Sequence, residues 1–480
     1  RSSDLDVTVF DSAGLYAAGF TYADAAGVIA TVGSHQYSFG GFTDAYLVKF
    51  DTTGTRKWAT YYGGVEGDLG TGVACDIYGR VYMTGQAPSP TAIATPGAQQ
   101  TTYGGGPSDG FLVKFNQDGT RVWGTYIGGA GANFPWRVSS DLAGMVYVSG
   151  DTNEGSGIAT TGSAQPTIGG GYDWYLIQYD TMGVRQWGTY IGGPGAEFNG
   201  ASCNDGYTAY VCGWTNSATG ISTPFAHQPV MSGPQDAALV KFFSNGVKGW
   251  ATYYGGSNGE QVGGVACDKF RNIYVFGSTS SDNGISTSDG FHTTRSGTID
   301  AFLVKFHPEI GFRMWGTYFG GPNQEDIGLS RIACDDSANV YVVGSTESTT
   351  GIASDTGAWQ NVFGGGVNDG FLAKFNTIGQ QKWCTYIGGS VFDDPRSAAC
   401  YGNAVYVAGR TSSPDSIATP SGFQPTGGGG AFDYQGFLEK FSDPDTSTIP
   451  QDTTTVPVYV QSNVAPATVV LALMPNPNNG

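Results

Sequence analysis

Acidic or amide side chains recur along the chain at intervals of 63 to 68 residues, and such a series could bind a cation. The seven positions are Asp4, Asp68, Asn133, Glu197, Glu260, Glu325 and Asp393. Their oxygens suit Ca²⁺, but each could instead accept backbone N–H bonds from a neighbouring loop and fasten one repeat to the next. Because all seven obey the repeat, whereas an active site usually breaks it, we favour fastening. We therefore expect no catalytic residue, metal or cofactor here, with Ca²⁺ as the alternative.

Four tryptophans break the repeat and are better candidates for ligand binding. They are Trp136, Trp174, Trp214 and Trp359, and no other repeat has tryptophan at the matching place. Exposed aromatic rings suit sugar rings or the energetic centre of a protein interface. The alternative is that each ring packs against its own repeat.

Catalysis is the competing interpretation. Asp326 and Asp394 directly follow the acidic position in two repeats and could serve a glycan lyase or hydrolase. A hydrolase needs two carboxyl groups about 5 to 9.5 Å apart. The chain contains no H-E-x-x-H, G-x-S-x-G or phosphate-binding glycine motif. We therefore expect a protein that is not an enzyme.

The elements that position these residues follow from the motif Trp-x-Thr-Tyr-x-Gly-Gly, which occurs six times. Its tryptophans are Trp58, Trp123, Trp187, Trp250, Trp315 and Trp383, and we expect all six to be buried between repeats. Each period contains four short apolar runs separated by turn residues, which we label strands a to d. This pattern predicts an all-β protein, a seven-bladed β-propeller of four-stranded antiparallel blades.

The strand count predicts an incomplete last blade. Strands b and c each appear seven times, but the strand d motif appears only six times. We therefore expect the seventh strand d to lie upstream of Arg1 and to pair with blade 7. The predicted domains are a propeller over 1–441, a linker rich in Pro, Thr and Asp over 442–457, and the start of a β-rich domain over 458–480.

The amino-acid composition limits the classes of partner that we expect for this protein. The net charge is −18 with only 22 Lys and Arg residues, which excludes nucleic acid as an expected partner. The longest apolar run, residues 465–474, is about half of what a membrane-spanning helix needs. Five of the seven cysteines belong to the repeat, which favours packing over a disulfide framework. Cys203 with Cys212 is the one pair that could bridge a hairpin.

The whole motif set resembles the bacterial SBBP family of propeller repeats. The resemblance spans residues 4–441 and includes D-x-x-x-x-V-Y-V-x-G, I-A-T-P and D-x-F-L-V-K-F after the tryptophan motif. It implies the propeller fold and an extracellular repeat module, but no shared activity.

The terminal Pro475-Asn-Pro-Asn-Asn-Gly480 resembles the opening of the C-terminal sorting domain of type IX secretion in Bacteroidota. That resemblance implies export by the type IX machinery and a secreted or cell-surface location. We expect a non-catalytic propeller that binds glycan or a surface protein through its loop face. The alternatives are the lyase or hydrolase above and a structural spacer or surface-layer component.

Overall fold

The computed structural model describes residues 5–9, 14–22, 29–328, 330–354, 356–417, 434–443, 456–461 and 471–473. It contains no helix within these ranges, and every regular element is a β-strand. Consequently, no helix in the described part is long and apolar enough to cross a membrane. Asp4 and the terminal segment 475–480 lie outside these ranges.

The strands form seven sheets in chain order. Blade 1 contains β1 (Asp6–Val9), β2 (Leu15–Thr21), β3 (Asp44–Phe50) and β4 (Arg56–Tyr62). Blade 2 contains β5 (Leu69–Cys75), β6 (Val81–Ala87), β7 (Asp109–Phe115) and β8 (Arg121–Ile127). Blade 3 contains β9 (Asn133–Ser140), β10 (Val146–Thr152), β11 (Asp173–Tyr179) and β12 (Arg185–Ile191). Blade 4 contains β13 (Glu197–Asn204), β14 (Thr208–Thr215), β15 (Asp236–Phe243) and β16 (Lys248–Tyr254).

The remaining strands complete the ring. Blade 5 contains β17 (Glu260–Cys267), β18 (Ile273–Thr279), β19 (Asp300–Phe306) and β20 (Arg313–Phe319). Blade 6 contains β21 (Glu325–Asp326), β22 (Ile332–Cys334), β23 (Val340–Thr346), β24 (Asp369–Phe375) and β25 (Gln381–Ile387). Blade 7 contains β26 (Asp393–Tyr401), β27 (Ala404–Thr411), β28 (Gln435–Ser442), β29 (Val456–Gln461) and β30 (Leu471–Leu473). Neighbouring strands a to d pair antiparallel within each blade, which confirms the predicted fold class.

The outer edge of blade 7 differs from the prediction. β29 pairs antiparallel with β28, with Phe437 opposite Tyr459, so residues 456–461 take the position of strand d. β30 adds a parallel pairing to the same strand. The expectation that a strand upstream of Arg1 is needed to complete this blade is therefore wrong. Most of the predicted linker, residues 444–455, lies outside the described ranges, and the domain boundaries stay a prediction.

The core lies between blades, because each sheet buries both of its faces. Strand c of blade 2, Asp109–Phe115, is buried at every residue. Leu15 and Val48 of blade 1 share one apolar cluster with Tyr406 and Leu438 of blade 7, which closes the ring. A closed ring leaves no blade face exposed to solvent.

The motif tryptophan joins each blade to the next. The indole Nε1 of Trp315 donates to the carbonyl of Thr377 in the next blade at 3.1 Å, and the ammonium of Lys305 donates to the same oxygen at 3.1 Å. Gly379, at φ +80°, packs against the indole face, where a Cβ would approach within 2.8 Å. Trp315 and three other motif tryptophans, Trp123, Trp187 and Trp383, are buried, but Trp58 and Trp250 are partly exposed, so the prediction of six buried rings is wrong for these two.

Candidate functional site

The acidic positions lie at the entrance of strand a, where the chain passes from one blade to the next. All six within the described residues are fully buried: Asp68, Asn133, Glu197, Glu260, Glu325 and Asp393. Oδ2 of Asp68 accepts the backbone N–H of Gly64 at 2.7 Å and the hydroxyl of Ser89 at 2.6 Å. Oδ2 of Asp393 accepts Gly389 N–H at 2.8 Å. These bonds connect strand d of one blade to strand a of the following blade.

A second carboxyl group faces each acidic position across the first glycine of the Gly-Gly pair. At Gly192, a Cβ would lie 2.4 Å from Oε2 of Glu197 and 2.5 Å from Oδ1 of Asp173, the residue that opens strand c. Burial raises the pKa of Glu197 to about 7 and also raises the pKa of Asp173. At the junction of blades 1 and 2, burial raises the pKa of Asp44 to about 7. Glu197 and Asp44 are therefore partly protonated near neutral pH.

The junction of blades 2 and 3 has a different arrangement of the same groups. Asn133 replaces the acid, and Glu154 stands where other blades have the serine equivalent to Ser89. Glu154 accepts the backbone N–H of Gly131 and, at 2.7 Å, the hydroxyl of Ser156. At this junction the carboxyl group is therefore on the loop between strands b and c, whereas at the other junctions that the structure describes it is at the start of strand a. Both arrangements provide acceptors for the backbone N–H groups of the loop that links two blades.

Removing divalent cations should leave the melting temperature unchanged. Each junction holds its own carboxyl group, and within the described residues no group of three or more His, Cys, Asp or Glu side chains could hold one ion. Calorimetry with and without a chelator measures this. A drop in melting temperature that added Ca²⁺ reverses would support the calcium alternative instead.

The four candidate tryptophans lie in two different settings. Trp136 and Trp214 are partly exposed. Trp174 is fully buried, because Gly200 and Gly213 leave room for its ring, and its Nε1 donates to the carbonyl of Phe198 at 2.9 Å. Trp359 packs edge-on against Trp383 and Phe441, with centroids 5.1 and 5.3 Å apart. Trp174 therefore has no exposed face on which a ligand could stack, whereas Trp359 is partly exposed.

Trp136 and Trp214 are the ends of a row of five aromatic rings, which we call the aromatic ladder. In order, its members are Trp136, Phe134, Tyr172, Phe198 and Trp214, with successive ring centroids 6.3, 6.3, 5.1 and 4.8 Å apart. All five are partly exposed. The ladder runs from strand a of blade 3 across to strand b of blade 4, on the side of the ring that carries the loops between blades.

Three positions of the repeat supply every ring of the ladder except Trp136. They are the residue after the acidic position, the residue after the glycine of strand b, and the residue before strand c. Phe198 and Trp214 pair directly across strands a and b, as Asp394 and Arg410 do in blade 7. The repeat leaves these positions variable: blade 5 has Gln261, Ser278 and Ile299. A comparison of blades at these positions would have found Phe134, Tyr172 and Phe198, which a search for tryptophan alone missed.

A polar cleft lies at the junction of blades 4, 5 and 6. It has a volume of about 340 Å³ and is lined by the side chains of Gln235, Gln261, Ser278 and Asp326, among others. Gln235 occupies in blade 4 the position that Tyr172 occupies in blade 3. The cleft therefore continues the surface of the ladder with amide, hydroxyl and carboxylate groups.

The two acids considered for catalysis differ in their surroundings. Oδ2 of Asp394 accepts Nε of Arg396 at 2.7 Å and Nε of Arg410 at 2.9 Å. The guanidinium of Arg410 also lies over the rings of Phe392 and Tyr434, 5.2 and 5.1 Å from their centroids. Asp326 is exposed, and its Oδ1 accepts the backbone N–H of Gly328 at 3.0 Å. The carboxylate of Asp394 is thus paired with two guanidinium groups, whereas Asp326 lines the polar cleft.

Residues 249–285 match the family described as SBBP beta-propeller repeat. The matched segment covers a little over half of one period, from strand d of blade 4 through strands a and b of blade 5. No curated protein sequence matches the chain.

The chain is similar to several solved structures at low sequence identity. A puromycin hydrolase is 11% identical over 97% of this chain and 60% of its own, with a TM-score of 0.42. The phage phi92 endosialidase is 9% identical over 97% of this chain and 70% of its own, with a TM-score of 0.41. A gluconolactonase from Xanthomonas campestris is 10% identical over 85% of this chain and 95% of its own, with a TM-score of 0.32. At these identities and TM-scores, the activities of those proteins give no evidence about the activity of this chain.

Proposed function

We propose that the protein is a non-catalytic carbohydrate-binding propeller and that the aromatic ladder is its binding site. The observation that carries the proposal is the ladder itself, five partly exposed rings in a continuous row on one face. Aromatic faces stack on the C–H faces of sugar rings, and a row of them suits a chain of several sugars. The ladder's length across two blades favours an oligosaccharide over a monosaccharide.

The polar groups around the ladder suit the hydroxyl groups of such a ligand. Binding sites fix the orientation of their ligands by a few well-placed polar groups. Gln235 and Gln261, which line the polar cleft, supply amides that both donate and accept. At the other end, the Trp136 indole is held by Oδ2 of Asp151 at 2.6 Å, which fixes the orientation of the ring before a ligand arrives.

The experiment is a glycan array with the full chain, followed by calorimetric titration of the glycan that binds. We expect Trp214→Ala and Trp136→Ala each to weaken binding about 10- to 30-fold, equivalent to about 1.4 to 2 kcal/mol. Phe270→Ala is the matched control, because Phe270 is an exposed aromatic residue in the turn between strands a and b, away from the ladder. Absence of any bound glycan, or equal loss in the control, would contradict the proposal.

We also propose that the protein acts outside the cell. The support is the resemblance of residues 475–480 to the start of a type IX sorting domain, together with carbohydrate as the ligand class. Detection of the protein in the medium or on the cell surface, and its loss when the type IX machinery is disrupted, would test this.

A further inference from the structure

Two cysteines of adjacent blades contact each other at the far end of strand a. Sγ of Cys203 in blade 4 lies 2.8 Å from Sγ of Cys267 in blade 5. Cys203 pairs in register with Tyr210 and Cys267 with Ile273, so the two cysteines lie one position apart in the repeat, at or near the end of their strands. Both side chains are partly buried against the apolar cluster that joins the two blades. The expected partner, Cys212, is fully buried and pairs in register with Ala201.

The turns that follow the two cysteines are tied together. Nε of Arg271 in the blade 5 turn donates to Oδ2 of Asp205 in the blade 4 turn at 2.9 Å. The same guanidinium lies over the ring of Tyr207, 5.5 Å from its centroid. These contacts hold the ends of the two inner strands in register. The contacts between the two turns therefore keep the two sulfur atoms close to each other in the folded protein.

We propose that Cys203 and Cys267 are an oxidative modification site and form a disulfide bond between blades 4 and 5. A disulfide bond is about 2.05 Å long, so the sulfur atoms need to approach by about 0.75 Å. Within the described residues no group of three or more Cys, His, Asp or Glu side chains could hold a metal, which favours a covalent pair over a thiolate metal site.

The oxidant is a small-molecule disulfide such as oxidised glutathione. The thiolate of one cysteine attacks a sulfur of the oxidant, forms a mixed disulfide and releases one small thiol. The second cysteine loses its proton and attacks the protein sulfur of the mixed disulfide, forming the new S–S bond and releasing a second small thiol. The protein loses two protons and two electrons, and the oxidant is reduced to two thiols. Burial raises the pKa of the Cys203 thiol, so exchange should be slow.

The test is thiol counting and peptide mapping of the folded full chain after incubation with oxidised glutathione. We expect loss of two of the seven thiols, a mass decrease of about 2 Da once adducts are absent, and a cross-linked peptide pair containing Cys203 and Cys267. Cleavage after Tyr207 and Tyr210 separates Cys203 from Cys212 and removes that ambiguity. The bridged protein should also melt a few degrees higher, because the bond closes a long loop.

The variants make the assignment specific. Cys203→Ser and Cys267→Ser should each abolish the cross-link, and the matched control Cys212→Ser should retain it. The peptide map of the oxidised chain without substitutions decides the outcome even if a variant folds poorly. An unchanged count of seven thiols, a bridge from Cys203 to Cys212, or a bridge between Cys334 and Cys400 in its place would overturn the proposal.

Discussion

Replacing Trp315 with alanine is expected to lower the free energy of unfolding by about 3 to 5 kcal/mol, the range for large-to-small substitutions of aromatic core residues. The ring is 6% exposed and packs in the cluster between blades 5 and 6. Its removal also leaves the Thr377 carbonyl with one donor fewer, because only the Lys305 ammonium remains from blade 5. Chemical denaturation monitored by circular dichroism measures the loss.

Two further variants separate packing from hydrogen bonding. Trp315→Phe keeps an aromatic ring against Gly379 but removes the indole N–H, and should cost about 1 to 2 kcal/mol. Trp136→Ala removes a partly exposed tryptophan of the ladder, and should change stability much less than Trp315→Ala. If Trp315→Ala unfolds at the same denaturant concentration as the unmodified protein, the tryptophan does not join the blades as described.

Acidification from pH 8 to pH 6 is expected to stabilise the protein. Burial raises the pKa of Glu197, Glu260 and Glu325 from 4.5 to about 7. Between these values the folded protein holds more protons than the unfolded chain, so the stabilisation is fully present below pH 4.5 and is lost as the pH rises through 7. Each group should contribute about 1 kcal/mol between pH 8 and pH 6, and the three together about 3 kcal/mol.

The matched control is a variant in which one of these glutamates is replaced by an amide, the group that Asn133 already provides at the junction of blades 2 and 3. Glu260→Gln should reduce the pH dependence by about 1 kcal/mol, because an amide resembling that of Asn133 cannot titrate. Burial lowers the pKa of His35 to about 4, which destabilises the fold only as the pH falls below about 6.5. Denaturation curves at pH 6, 7 and 8 test the sign. Stability that rises with pH would mean that the carboxyl groups are ionised in the fold, as bound Ca²⁺ requires.

The propeller could be predicted from sequence because its determinants repeat. Trp315, Lys305 and Gly379 recur at fixed offsets in most blades, and each copy confirms the others. The outer strand of blade 7 could not be predicted, since residues 456–461 contain none of the tryptophan motif. A strand at a sheet edge is held by backbone hydrogen bonds, which do not require that motif.

The candidate site was predictable only in part. Trp136 and Trp214 stood out because tryptophan is rare and breaks the repeat. Trp174 stood out equally, but its burial depends on the small residues Gly200 and Gly213, which belong to two other strands. Sequence position alone could not reveal that three-dimensional complementarity. The contact between Cys203 and Cys267 was missed for a similar reason, because recurrence in the repeat was interpreted as packing alone.

The three variable positions of each blade are distinct from the residues that hold the blades together, and they carry most of the proposed binding surface. The residues that hold blades together, such as Trp315 and Glu260, lie outside this set. Exchanging Gln261 and Ser278 of blade 5 for aromatic residues would extend the ladder without disturbing any fastening contact described above. A library of variants restricted to these positions could therefore be screened for binding to sugars without changing the framework.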